Sequence, residues 1–414
     1  MTRKLFGENG LSIKEFGIII ILLVNVFTWY YMTPQIIYGI MESNGITDSQ
    51  EMIIWSGFYG SIAISSIIGV IISKKINRLK FIYTWIAIGI ATSIFPIIFN
   101  SFTWIDCFTV SILLGTGFGL GIPTCLSYFA DSTKLENRGR TSGIIMVTAY
   151  MTTAILAIPI NGLEAPTNLI IFAGWRSLGL IVLLLHPNEK IEGSKRKMER
   201  SFSEVIKDKT FGFYIIAWIM FCLVNQIVSP IVLLMGDIIY VQPMITPIFI
   251  SISSIIAGIL ADKIGRKKIV MYGFISLGIA YGLIGIFPSY PLIHYFFLII
   301  HGISTGLLFV TFLLTLWGDI SQSGFREKYY AIGILPLFIT YILGLNLEKY
   351  ILEFPVESIF SIAAFFLFIA VFPLLYAPET LPEKKMELRR LRSFAEEAQK
   401  AKEKYETKIA NKIN

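Results

Sequence analysis

Gly258-Ile-Leu-Ala-Asp262-Lys-Ile-Gly265-Arg266-Lys-Lys268 lies between two long apolar runs, and Val70-Ile-Ile-Ser-Lys74-Lys-Ile-Asn77-Arg78-Leu-Lys80 repeats its plan earlier in the chain. Arg78 and Arg266 stand 188 residues apart. Asp131 with Asp319, and Arg138 with Arg326, repeat that offset of 188. Separate stations held in one register mean that one half of the chain echoes the other. A duplicated helical membrane domain with charged turns on one side is the architecture of a rocking transporter.

Composition sets the same class. The 414 residues are 55% hydrophobic and 15% charged, with a mean hydropathy of +0.69. Soluble domains carry about 25% charged residues. Apolar runs long enough to cross a ~30 Å hydrocarbon core recur throughout. They predict twelve spans at approximately 16–40, 52–73, 81–99, 104–130, 141–160, 169–185, 211–236, 243–261, 269–288, 292–318, 329–347 and 355–376. The expected fold is an all-α polytopic membrane protein with two pseudo-symmetric six-helix bundles. A β-barrel would show alternating ~10-residue segments instead.

The net charge of +7 is topology rather than a nucleic-acid footprint, because 33 of the 35 Lys and Arg fall on the same side of the expected spans as the N-terminus. Only Arg176 and Lys349 fall elsewhere. Basic loops stay in the cytoplasm, so a multi-pass protein of the cell membrane with both termini inside is expected. The outer stretch Glu42 to Glu51 has three acids and no base. Cys107, Cys125 and Cys222 all lie within spans, which implies no disulfide framework. The polar Met1 to Phe16 segment and the long run after it do not suit a cleaved signal.

The expected organisation is a six-helix bundle over 1–188, a cytoplasmic linker over 189–208, a second bundle over 209–382 and a charged tail over 383–414. In the tail, Leu391, Phe394, Ala398, Ala401, Tyr405 and Ile409 follow a 3–4 spacing that reads as an amphipathic helix. The alternating Gly115, Gly117, Gly119 and Gly121 never form G-x-G-x-x-G, so they imply close helix approach, not nucleotide binding. Gly57, Ser61, Ser65 and Gly69 form a second small-residue stripe, and span eight offers Ser254 with Gly258.

The loop Gly258–Lys268 resembles the turn between spans two and three, repeated between eight and nine, of the major facilitator superfamily. Gly115–Pro123 with Tyr128-Phe-Ala-Asp131, then Arg138-Gly-Arg140, Gly174-Trp-Arg176 and Pro378-Glu-Thr380, are further marks of that family in the right order. The sequence departs from it in the first half, where Lys74 stands for Asp262 and Asn77 for Gly265. Signatures of the sugar-porter and drug-antiporter subgroups are absent. The resemblance implies a latch at the cytoplasmic end: Asp262, Gly265, Arg266, Asp319 and Arg326 on one side, and Arg78, Asp131, Arg138 and Arg140 on the other. The alternative reading of these charges is that they only set topology. The resemblance also places spans two and eight at the seam between halves, and spans one, four, seven and ten around a central cavity.

Depth selects the cavity candidates. Asn25 lies ~14 Å into span one, Asn225 and Gln226 ~21 Å into span seven and His301 ~14 Å into span ten. Tyr30, Tyr31 and Gln35 join them. Thr33-Pro34 and Ser229-Pro230 weaken spans one and seven where a cavity would need it. An interhelical hydrogen bond is the competing explanation for Asn25 and Asn225, and a bond to a backbone carbonyl is the one for His301. Asp106, Asp237 and Arg176 fall near outer ends, which leaves no charge at mid-depth and suits a neutral or weakly charged solute such as a sugar-like molecule. His301, Asp106 and Asp237 are the groups available for proton coupling.

These readings point to a secondary transporter for a small polar organic solute, with a proton as an optional partner, working as a monomer in the bilayer. A multidrug exporter of the same fold and a transport-dead sensor are the alternatives. No cofactor, metal or nucleic acid is expected, and three histidines without a metal-ligand spacing argue against an enzyme.

Overall fold

The computed structural model describes residues 13–99, 102–160, 163, 165–185, 201–233, 235, 238–321, 324–381 and 391. Among them are twelve helices long and apolar enough to cross a membrane, and no strand. In the first half these are Phe16–Ser43, Asp48–Ser73, Arg78–Ile98, Trp104–Ser132, Arg138–Ile158 and Thr167–Leu184, here spans 1 to 6. Spans 7 to 12 are Lys209–Val232, Val241–Ile264, Arg266–Ile286, Pro291–Ile320, Arg326–Ile351 and Val356–Tyr376. Helices satisfy their own backbone groups, as hydrocarbon demands. Large apolar side chains such as Ile64, Ile155 and Phe365 point outward, a surface suited to lipid.

Each half closes around its own core. Span 2 packs on span 4, and span 6 packs on spans 1 and 3. In the second half span 8 packs on span 10, and span 12 packs on spans 7 and 9. The halves meet along two seams, span 5 against span 8 and span 2 against span 11. Span 8 therefore borders the seam with its small residues. Gly143 faces the Ser254 carbonyl oxygen, 2.5 Å from where a Cβ would sit. The stripe on span 2 has a different neighbour. It faces span 4 of its own half, where an added Cβ at Gly115 would lie 2.5 Å from the Phe58 carbonyl oxygen.

The spans are joined at two ends. The end bearing residues 74–77, 133–137, 265, 321 and 324–325 is rich in base and is called the basic end here. Its two echoing turns solve one problem in two ways. Gly265 links spans 8 and 9 alone, at φ 104°, in a region closed to most side chains. Asn77, its counterpart, caps span 3 by accepting from the Leu79 (2.9 Å) and Lys80 (3.3 Å) backbone N–H groups.

Three kinds of irregularity interrupt the spans. Pro34 and Pro230 sit inside spans 1 and 7. Span 4 breaks at Leu120–Gly121, where the Trp85 indole donates to the Gly117 carbonyl (2.7 Å). Span 10 widens into a π-helix over Val310–Leu316, a form that concentrates at functional positions. Most of the linker and the tail, including Phe394 to Ile409, lies outside the described residues. Within the linker, Phe202–Ile206 forms a short helix capped by Ser201 and Glu204.

Candidate functional site

Two regions lie between the halves: a charged cluster at the basic end and a cavity at the opposite end. In the cluster, Asp262 at the foot of span 8 accepts from the Gly139 (2.9 Å) and Arg140 (3.0 Å) backbone N–H groups. These open span 5, so a carboxylate of one half sits on a helix N-terminus of the other. Arg266 bonds Asp262 (3.1 Å) and Asp319 (2.8 Å), and all three side chains are fully buried. Its Nη2 also donates to the Leu135 carbonyl of the first half (2.6 Å).

The expected division of these residues into two latches, one per half, is corrected by the pairing. Arg138 of the first half bonds Asp319 of the second, and Arg326 of the second bonds Asp131 of the first. Arg78 donates to Asp131 (2.7 Å) and Ser127 (2.8 Å) within its half and reaches Glu327 (3.4 Å) across the seam. The acids thus hold guanidinium groups from both sides in one interlocked cluster.

Two carboxylates in this cluster escaped the sequence reading. Glu327 accepts from Ser73 Oγ (2.9 Å) as well as Arg78. The 188-residue echo explains it: Glu327 corresponds to Gly139, and Lys74 to Asp262. Where one seam puts the acid at the foot of span 8 and a glycine on the helix start, the other puts a base just past the end of span 2 and the acid on the helix start. The second is Glu379 of Pro378-Glu-Thr380, which accepts from the Arg266 (2.8 Å) and Lys267 (3.1 Å) backbone N–H groups beneath Gly265. Its family-like tripeptide was visible; its partner was not.

At the opposite end a cavity of about 780 Å³ separates the halves. Pro34 and Gln35 of span 1 line it with Gln226 and Pro230 of span 7. Asn168 of span 6 also borders it, and Glu42 and Glu348 stand at the ends of spans 1 and 11. Its aromatic wall is Tyr38, Trp55, Tyr59 and Tyr341. Tyr59 and Tyr341 stack across the seam with centroids 4.0 Å apart. Under them Tyr30 stacks on Phe118 (4.5 Å) and meets Phe338 of the second half edge-on (6.1 Å).

Of the residues expected in the cavity, Gln35 and Gln226 line it. Tyr30 belongs to the aromatic layer described above, and Tyr31 stacks on Tyr150 (4.9 Å) inside the first half. Asn25, Asn225 and His301 turn away. Asn25 donates to the Trp175 carbonyl and its own carbonyl accepts from the Trp175 indole (3.1 Å), locking span 1 to span 6. His301 bonds Asn225 (3.2 Å) and lies beside the Phe297 ring (5.4 Å) in the second core. Asp106 is taken up as a cap, accepting from the Thr103 N–H (2.8 Å) and hydroxyl (2.6 Å). Asp237 lies outside the described residues. The missed cavity residues do carry a signal. Gln35, Tyr38 and Glu42 on span 1, and Tyr341, Gly344 and Glu348 on span 11, recur at helical spacing on one face.

One expectation fails outright. Arg176 was placed near an outer end, leaving mid-depth free of charge, yet it lies midway along Thr167–Leu184 and is fully buried. The Trp85 (4.5 Å) and Trp29 (5.4 Å) rings face its guanidinium, and Nη1 donates to Asn25 Oδ1 (3.3 Å). Its Nε and Nη2 make no hydrogen bond. Aromatic faces stand in the place of an acid beside this charge.

The chain matches the family model described as Major Facilitator Superfamily over residues 18–257 and 241–404. No curated protein matches it by sequence. Its fold is similar to that of the proton:xylose symporter XylE, solved with 6-bromo-6-deoxy-D-glucose bound: TM-score 0.70, 15% identity, 90% of this chain and 98% of that one covered. It is also similar to the human organic anion transporter MFSD10 (TETRAN), with a TM-score of 0.63 and 12% identity over 87% of this chain and 99% of that one.

Proposed function

The chain belongs to the major facilitator superfamily, and from that premise we propose that it is a secondary active transporter moving a small polar organic solute across the cell membrane by alternating access. One observation carries this reading. The halves are bonded together at the basic end and stand apart around a cavity at the other. With the basic loops in the cytoplasm, that is an outward-facing state, and the cluster is the latch that closes the inside. The two bundles, 1–188 and 209–382, are the units that rock. The flexible points are the proline steps of spans 1 and 7, which border the cavity, and the π-helix of span 10. The solved relatives are named for a sugar and for organic anions, so the fold itself favours no solute.

Reciprocal accessibility tests the reading. The natural cysteines are buried, and a Cβ at Gly39 on the cavity wall meets open space. Gly39→Cys therefore reports on the cavity, while Ser142→Cys reports on the basic end, where Ser142 meets Thr315 across the seam (3.4 Å). In proteoliposomes, Asp319→Asn is expected to lower labelling of Gly39→Cys by an impermeant maleimide and to raise labelling of Ser142→Cys. If both rates stay as they were, alternating access is lost.

A further inference from the structure

The cavity has an uneven chemistry. Among the described residues its charged lining is Glu42 and Glu348, one from each half, with no Lys or Arg. Lys349, next in sequence, lies over the Tyr350 ring instead (4.8 Å). Glu51 extends the acidic rim, holding the Trp55 indole through Oε1 (3.0 Å). Arg176 adds no compensating charge to the wall, because it is enclosed behind Trp29 and Trp85 in the first core. A cleft with low-dielectric walls and charges of one sign concentrates ligands of the opposite sign.

Independent of the acids, the interior is built to hold something. Gln226 is 8% exposed and lines the cavity, yet its side-chain amide makes no hydrogen bond to another described residue. The amide opens onto the cavity, where a polar group of a bound solute is its natural complement. Beside it the wall is aromatic. Tyr59 and Tyr341 present a stacked pair from opposite halves, and Trp55 stacks on Tyr59 (6.1 Å). Ring faces and carboxylates together favour one class of ligand: a positive charge on an apolar body.

We propose that the cavity takes an organic cation, a protonated or quaternary amine carrying an aromatic or aliphatic group. The ammonium lies toward Glu42 and Glu348, the apolar body against Tyr59, Tyr341 and Trp55, and Gln226 bonds any polar substituent. This rests on the transport reading for the cavity's role but makes a separate claim about its chemistry. Because the two acids come from different halves, one cation drawing them together also biases the closing of that end.

The test uses the full chain in nanodiscs, with protection of Gly39→Cys from maleimide as a site-specific readout. Benzyltrimethylammonium, benzyl alcohol, benzoate and glucose are the probes. The cation is expected to protect at a concentration at least about tenfold below the others, a margin that one cation–π contact and partly screened charges support. Glu42→Gln combined with Glu348→Gln should abolish that margin while benzyl alcohol still protects. Tyr59→Ala should weaken both benzyltrimethylammonium and benzyl alcohol. The proposal is overturned if a neutral or anionic probe protects as well as the cation, if the double variant keeps the margin, or if no probe protects at tens of millimolar. The two readings fail separately. Reciprocal labelling in Asp319→Asn with benzyl alcohol or glucose bound best removes the cation and keeps the transporter. Cation protection without reciprocal labelling keeps the site and removes alternating access.

Discussion

Arg176 shows how a single residue escapes a rule that holds for most others. A charge deep in a membrane protein is expected to face a cavity or an opposite charge. This one is accommodated by two indole faces and one amide oxygen, with two of its nitrogens unbonded. Sequence depth alone could not show it, since nothing in Gly174-Trp-Arg176 names Trp29 or Trp85 as its neighbours. The arrangement makes a signed prediction. Arg176→Met replaces a buried charge with an apolar chain of similar length, which is often neutral or stabilising. Trp85→Leu leaves the charge and removes its better ring, and should cost about 2–4 kcal/mol. The double variant should recover about 1–2 kcal/mol of that loss in a double-mutant cycle on thermal unfolding in detergent. Simple additivity would mean that the ring does not hold the guanidinium.

At the scale of the element, the twelve spans and their pairing into halves were legible because length, hydropathy and the placement of base are properties of a segment by itself. Which neighbour a face meets is not. Gly57, Ser61, Ser65 and Gly69 look like a seam, and so do Ser254 and Gly258. A small-residue stripe says that something approaches closely without saying what. Only the packing separates span 2 on span 4, within a half, from span 8 on span 5, between halves. The same limit hid the aromatic wall, because Tyr59 and Tyr341 lie on spans far apart in the chain. The distinction is testable. An alanine at Gly143 props the seam against the Ser254 carbonyl, and is expected to raise labelling of Ser142→Cys several-fold with little change in unfolding temperature. An alanine at Gly115 strains the first core against the Phe58 carbonyl, and should lower the unfolding temperature while the labelling ratio stays constant. The assignments of the two stripes are wrong if the two variants exchange these effects.

For the whole molecule, the unequal turns that mark the duplication are resolved by exchange of charge rather than by loss of one latch. The seam of spans 5 and 8 closes with Asp262 on the N-terminus of span 5, and that of spans 2 and 11 closes with Glu327, in the first turn of span 11, on Ser73 and Arg78. Both seams are therefore bonded, but unequally. Asp319 is fully buried and serves Arg138 and Arg266 at once. Neutralising it leaves two guanidinium groups short of a counter-charge in a buried cluster, at a cost of about 3 kcal/mol or more. That corresponds to roughly 150-fold in the ratio of closed to open basic ends. Glu327→Gln loses less. Its amide oxygen still accepts from Ser73, and Arg78 keeps Asp131 and Ser127, so a change of about 1 kcal/mol is expected. Basic-end labelling should thus rise steeply in Asp319→Asn and only several-fold in Glu327→Gln. Salt adds a second discriminator. The Arg326–Asp131 pair is partly exposed, at 14% and 11%, whereas Arg266–Asp319 is sealed. Added salt screens exposed pairs far more than buried ones, so raising it should loosen the latch slightly in the parent protein and more in Asp319→Asn, where the exposed pair carries more of the closure. Equal labelling in the two single variants would mean that the seams share the load evenly and that Asp319 is no keystone.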